Sequence, residues 1–187
     1  LKKLKNLIIE LHAKNCKQRC KQCYIDFPIN KNIKDFIDVE KIKNALDETK
    51  NKNLQCIYLT GAEPMTHPEF NTILRLCLKY TSVCICTNAS FINEKKSRFL
   101  KKVEDEGNNE IIFMLSLAHF NEIKNDNIRY RGAFRETLNA IKCLIKYDFN
   151  PIINFTNYYN EPKEVILEEL VKISNNIGFD ANLANFK

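Results

Sequence analysis

The 187-residue chain predicts an α/β protein built on a parallel sheet with helices outside it. Three observations point there. Short apolar runs alternate with stretches that carry apolar residues at helical period. The runs are apolar enough to be buried on both faces, as parallel strands are. Polar, chemically capable residues follow directly behind the runs, at the carboxyl strand ends where parallel α/β folds place their sites.

The elements follow in order. Residues 7–11 read as a first strand. Asp38 is placed to cap a helix reaching about residue 49, with Val39, Ile42, Ala45 and Leu46 on one face. Residues 56–59 form a second strand. Pro68, at a first-turn position, opens a helix to about residue 80 with Ile73, Leu74, Cys77 and Leu78 inward. A third strand covers 83–86, and a helix over 93–103 is ended by Gly107. The fourth strand, 111–117, is apolar almost throughout. A helix over 134–147 spaces Phe134, Leu138, Ile141 and Leu144 on one side, and a fifth strand covers 152–155. The helix over 162–174 carries Ile166, Leu170 and Ile173, and Leu183 begins a sixth strand. A complete eight-unit barrel needs about 250 residues. The chain is therefore predicted to be a partial TIM-type (β/α)6 barrel with parallel strands, truncated at its C-terminal side. Residues 1–187 read as one core domain, and Leu1 in place of an initiator methionine marks a fragment of a longer protein.

Composition narrows the class. At 44% hydrophobic residues the chain has enough for a core and lies far from the disordered range. The net charge of +6 is spread over presumed helix faces without a basic, aromatic-laced stripe, which argues against nucleic-acid binding. No signal peptide or membrane-length apolar run is present, and a cytoplasmic location is the expectation. Eight cysteines do not read as a disulfide scaffold in a chain of this length. Five of them, Cys56, Cys77, Cys84, Cys86 and Cys143, fall on apolar segments and read as small buried hydrophobes. Cys84 and Cys86 share one face of the third strand and are the pair best placed for redox or substrate contact.

The other three, Cys16, Cys20 and Cys23, stand at C-x3-C-x2-C spacing in the loop behind the first strand. Four thiolates close the shell of an iron–sulfur cluster. Three leave one iron of a [4Fe-4S] cluster open to a substrate or cofactor, the logic that also separates catalytic from structural zinc sites. Lys17, Arg19 and Lys21 interleave the cysteines and favour thiolates. Zinc is the competing ion, with His12 as a fourth ligand. Behind the second strand stands Gly61-Ala62-Glu63-Pro64, where Gly61 permits close backbone approach and Glu63 can accept from a ligand ammonium group.

Together these segments resemble the radical S-adenosylmethionine (radical SAM) enzymes. CKQRCKQCY at 16–24 is similar to the family's cluster loop, and TGAEP at 60–64 to its Gly-Gly-Glu-Pro segment. ICTNAS at 85–90 is similar to the family's Thr-Asn-Gly, LSLAHF at 115–120 to its Ser-Leu-Asp-Gly, and the run at 128–144 to its Arg-Gly-x-Gly-x-Phe lead into a helix. Ala62, Ala89 and Ala118 depart from the family's Gly, Gly and acidic residue, and Gln22 stands where an aromatic residue or His is frequent. The resemblance implies a [4Fe-4S] cluster on Cys16, Cys20 and Cys23 that cleaves S-adenosylmethionine reductively to a 5′-deoxyadenosyl radical, which takes hydrogen from a substrate. It implies cofactor contacts from Tyr24, Gly61, Ala62, Glu63, Pro64, Asn88, Ser116 and Arg129, with Arg131 as the alternative to Arg129. It also implies an external flavodoxin- or ferredoxin-like electron donor. The alternative reading is a non-catalytic iron–sulfur or zinc-binding α/β domain.

Overall fold

The computed structural model describes residues 5–14, 16–25, 36–50, 52–181 and 185–186. Five strands, β1 (Asn6–Glu10), β2 (Cys56–Thr60), β3 (Ser82–Thr87), β4 (Ile111–Leu117) and β5 (Ile152–Phe155), form one sheet in sequence order. Pairing is parallel from β1 through β3 and again between β4 and β5. Helices α1 (Val39–Asp47), α2 (Phe70–Leu78), α3 (Glu94–Glu104), α4 (Glu122–Ile128), α5 (Ala133–Ile145) and α6 (Lys163–Asn176) connect or follow the strands. The sixth strand is reduced to a single parallel bridge from Phe186 to Ile153, and Leu183 lies outside the described residues. Among the described residues no helix is long and apolar enough to cross a membrane.

Local chemistry sets the helix ends. The Asp38 carboxylate accepts the Glu40 N–H at 3.0 Å and caps α1 as expected. Asn93 does the same for α3 through Lys96 N–H at 2.9 Å. Pro68 does not open α2. The helix begins at Phe70, after a 3-10 turn over Pro64–Thr66, because the chain leaving β2 first winds around Glu63. Helix α4 was not expected. Its sequence, EIKNDNI, has no apolar stripe; it is held by an Asn121 cap onto Lys124 N–H (3.1 Å) and by burial of Asn125 and Ile128.

Two compact units divide the chain. The first holds β1, α1, β2, α2, β3, the end of α3 and the first residues of β4. Its core joins Leu11, Ile57, Leu59, Val83 and Ile85 with Ile42 and Leu46 of α1 and Phe70, Ile73, Leu74 and Cys77 of α2. The second holds the Gln18–Tyr24 loop, the start of α3, most of β4, and everything from α4 onward. There Phe113 meets Phe149 edge-on at 4.9 Å, and Leu115, Leu117, Ile141, Leu144, Ile153 and Leu170 are buried.

Only β3 is buried on both faces, at Val83, Cys84 and Ile85, while β2 and β4 alternate. In β2, Ile57 and Leu59 are buried while Cys56, Tyr58 and Thr60 are half-exposed, and β4 repeats this pattern over its whole length. Successive side chains in a strand point opposite ways, and an apolar run does not reveal which of its members a helix covers. Ala45, expected on the inner face of α1, is exposed for a related reason: Ile42 and Leu46 already fill that face.

Leu59→Ala should lower unfolding free energy by about 2–5 kcal/mol through a buried cavity, whereas Ile123→Ala, at a 79% exposed position, should change it by no more than about 0.5 kcal/mol; urea denaturation measures both.

Candidate active site

Within the first unit, the turn after β2 is built around a buried carboxylate. Gly61 has φ +121°, and a Cβ there would come within 2.4 Å of the His12 carbonyl oxygen. Only glycine lets the chain pass so close. Ala62 N–H donates to that same carbonyl at 2.9 Å, and the His12 ring Nε2 lies 2.8 Å from both the Glu63 carbonyl oxygen and Thr66 Oγ1. His12, weighed above as a zinc ligand, is thus a buried clamp on this turn. Glu63 is 0% exposed. Thr87 Oγ1, at the end of β3, reaches its two carboxylate oxygens at 2.8 and 2.9 Å, and Met65 N–H donates at 3.3 Å to open the Pro64–Thr66 turn. Burying a carboxylate is costly unless its oxygens are hydrogen-bonded. Here a strand-end hydroxyl and a turn N–H supply those bonds.

Within the second unit, Arg129 gathers the remaining expected residues. It ends α4 and is 3% exposed. Its Nε donates to Gln18 Oε1 at 3.1 Å, Nη1 to Thr137 Oγ1 at 3.0 Å and to the Ser116 carbonyl, and Nη2 to the Asn88 carbonyl at 2.9 Å. Asn88, Ser116 and Arg129 therefore meet, but through two backbone carbonyls rather than through the Asn and Ser side chains. The Asn88 side chain instead accepts Ser90 N–H at 2.9 Å. This lets Ala89 take φ +73°, the left-handed conformation for which the family's glycine is suited.

The cysteine loop contributes to both units. Cys16, partly exposed, lies in the first, its N–H bonded to Lys14 O at 3.1 Å. Cys20 and Cys23 lie in the second, where Cys23 N–H donates to Cys20 O at 3.0 Å and Cys20 Sγ to Gln18 Oε1 at 3.6 Å. Lys21 ties this stretch to the end of α4, N–H to Ile128 O at 2.9 Å and Nζ to Asn127 Oδ1 at 3.1 Å. Among the described residues no three His, Cys, Asp or Glu side chains converge tightly enough to hold a metal ion. Thiols of this kind are drawn together by the ion they share, since binding and ordering of such a site are coupled. All three are thiols outside any disulfide, soft donors on a cation-bearing loop, a set that suits an iron–sulfur cluster. Tyr24 is 67% exposed beside them, and Arg131 is also exposed.

Sequence reasoning passed over Gln18 and Thr137, whose polar types carry no spacing signal, and placed Thr87 behind the third strand without assigning it the Glu63 contact. His119, inside the run at 115–120, was given no role. That ring is buried, accepts Asn121 N–H on Nδ1 at 2.8 Å, and so carries its hydrogen on Nε2, which donates to Glu161 at 3.1 Å. Glu161 also receives Lys124 Nζ at 2.7 Å. Lys124 first and His119 second hold its carboxyl below the ordinary range.

The sequence profile of the Radical SAM superfamily matches residues 11–177. The chain belongs to the radical SAM superfamily. It is 28% identical over 131 residues to the antilisterial bacteriocin subtilosin biosynthesis protein AlbA of Bacillus subtilis (strain 168), a match covering 69% of this chain and 28% of that protein. Two solved structures share the fold. Streptococcus suis SuiB bound to precursor peptide SuiA superposes with TM-score 0.72 at 18% identity over 96% of this chain and 38% of that one. Histidine-tagged anSMEcpe with bound AdoMet gives 0.70 at 17% over 93% and 47%. The chain thus spans less than half the length of each of these radical SAM relatives.

Two substitutions in the glycine-like turns should act oppositely. Ala89→Gly should stabilise by about 1 kcal/mol by relieving a left-handed alanine, while Gly61→Ala should sharply lower the melting temperature; thermal unfolding reads both. A group whose folded pKa is depressed contributes stability above its unfolded value and loses it as pH falls through the folded one. Glu161 is such a group, so Glu161→Gln should flatten the loss of thermal stability on acidification below pH 4.5, with little change in the slope near neutrality.

Proposed function

We propose that this chain is the core of an enzyme that cleaves S-adenosylmethionine reductively and abstracts hydrogen from a peptide. The observation that carries the reading is the triplet of thiols Cys16, Cys20 and Cys23 inside a chain whose residues 11–177 match the superfamily. Cys16, Cys20 and Cys23 would hold a [4Fe-4S] cluster, which would supply the electron for reductive cleavage of S-adenosylmethionine, drawn from a flavodoxin- or ferredoxin-like donor.

The chain's own residues bind and orient. Lys17, Arg19 and Lys21 favour the thiolate state of the loop and offset cluster charge. Glu63 offers carboxylate oxygens to the cofactor's ammonium group, with Thr87 fixing their direction. Gly61, Ala62 and Pro64 shape the backbone around that group. Arg129 brings a fixed positive charge toward the cofactor carboxylate and anchors the carbonyls of Asn88 and Ser116. Tyr24 lies on the cysteine loop as an aromatic surface for the adenine. A peptide as substrate class is supported by the relatives: SuiB is seen with a precursor peptide, and AlbA serves biosynthesis of a bacteriocin.

Anaerobic reconstitution with iron and sulfide, followed by reduction and S-adenosylmethionine, should yield 5′-deoxyadenosine. Replacing the three loop cysteines by alanine should abolish both bound iron and product. Glu63→Gln should weaken cofactor binding by about 10- to 100-fold, the loss of one charge-assisted bond. A protein with full iron and sulfide content that forms no 5′-deoxyadenosine would refute the proposal.

A further inference from the structure

The second unit buries an amide two residues before Cys20. Gln18 is 1% exposed, and its side chain meets both Arg129 and Cys20. A buried amide costs free energy unless its polar atoms are hydrogen-bonded. Arg129 Nε donates to Gln18 Oε1 at 3.1 Å, and the Cys20 S–H donates to the same oxygen at 3.6 Å. A guanidinium nitrogen only donates, so the end of the amide facing Arg129 is the oxygen. Arg129 is itself fixed, by Thr137 Oγ1 and the carbonyls of Ser116 and Asn88. The orientation of a side chain in the cysteine loop is therefore set by a residue 111 positions away.

We propose that Gln18 is a positioning residue for the cluster, one that brings the charge of Arg129 to bear on the Cys20 sulfur and raises the reduction potential. The proposal rests on the radical SAM reading above. As a cluster ligand, Cys20 is a thiolate. Its sulfur then has no hydrogen to give and only accepts. Arg129 holds the oxygen of the Gln18 amide, so the end that answers a thiolate is the Nε2 amino group. The contact between the two side chains thus changes sense when the cluster binds, from S–H···O to N–H···S. A donor to a cluster sulfur favours the more negative, reduced state, and such hydrogen bonds are among the levers that set cluster potential. The guanidinium is always charged. Through the amide oxygen it polarises the group and makes Nε2–H a stronger donor. An apolar side chain at this buried position would pack the loop without this effect. Gln18 therefore makes the cluster easier for an external donor to reduce.

Two measurements test it, both on the cluster-loaded protein without S-adenosylmethionine. The chain has three glutamines, Gln18, Gln22 and Gln55, so heavy nitrogen placed in glutamine side-chain amides marks few sites. Pulsed electron paramagnetic resonance of the reduced cluster should show a coupling to that nitrogen in wild type. Gln22→Met should keep the coupling and Gln18→Met should lose it. No coupling in wild type, or its loss in Gln22→Met, overturns the proposal, and these two spectra decide it even where Gln18→Met takes up no cluster. The second measurement is a redox titration read per loaded cluster. At a fixed poise, Gln18→Met should lower the ratio of reduced to oxidised cluster about tenfold, which is about 59 mV for one electron. Gln18→Glu keeps an acceptor for Arg129 but has no N–H, and should lower the ratio at least as far. An amide that only packs the loop would alter iron content or melting temperature and leave the potential in place. An unchanged ratio in loaded Gln18→Met thus overturns the role of Gln18 and leaves the radical SAM reading standing. Wild-type protein that takes up no [4Fe-4S] cluster overturns both.

Discussion

A carboxylate with no solvent contact is the constraint around which the first unit is arranged. Glu63 must have its oxygens hydrogen-bonded to be tolerated there, and the groups that do so come from separate places in the sequence. The end of β3 supplies Thr87, and the turn after β2 supplies Met65 N–H. That turn holds its course only because Gly61 can lie against the His12 backbone and the His12 ring can reach the Glu63 carbonyl. The ends of β1, β2 and β3 are thereby locked to one another at the carboxyl edge of the sheet. A rigid, desolvated acceptor is suited to selecting an ammonium group, since its bonds strengthen where water is excluded.

The second unit solves a similar problem with the opposite charge. Arg129 is buried among neutral acceptors, two carbonyls, an amide and a hydroxyl, that use its fork of donors in several directions. The effect is mechanical as well as electrostatic. The Gln18 contact fixes half of the cysteine loop, and the carbonyls of Asn88 and Ser116 fix the exits of two strands. An Arg-to-Lys exchange would keep charge and lose this geometry. Lys21 adds a second tether from the same loop to α4, so a helix with almost no apolar signature steadies the segment carrying Cys20 and Cys23.

The thiols separate by surroundings rather than by type. Cys77 is encased on α2, where burial pushes its pKa up to about 12 and leaves it an inert packing group. The loop thiols are accessible and flanked by cations. Cys86 lies between these extremes, partly exposed on β3 beside Thr87. The same residue type therefore meets different surroundings within one chain, and dielectric and neighbours decide which thiols are inert and which are reachable.

Much was legible before any coordinates. Periodicity located all five strands to within a residue and five of the six helices, because apolar spacing is a local property of each segment. The cysteine spacing and the Gly61–Pro64 turn were visible because their chemistry demands particular residue types close together. Helix α4 was hidden, since its stability comes from a cap and from buried Asn125 rather than from an apolar stripe. Gln18 and Thr137 were hidden for the same reason: a polar residue becomes structural only through a partner, and Gln18 finds its own in Arg129, 111 positions away. Local patterning thus specified the kinds of element and the reactive groups. Which strand face is buried, which thiol is reachable and which carbonyls a guanidinium collects depended on contacts between distant segments, and those exist only once the chain has closed on itself.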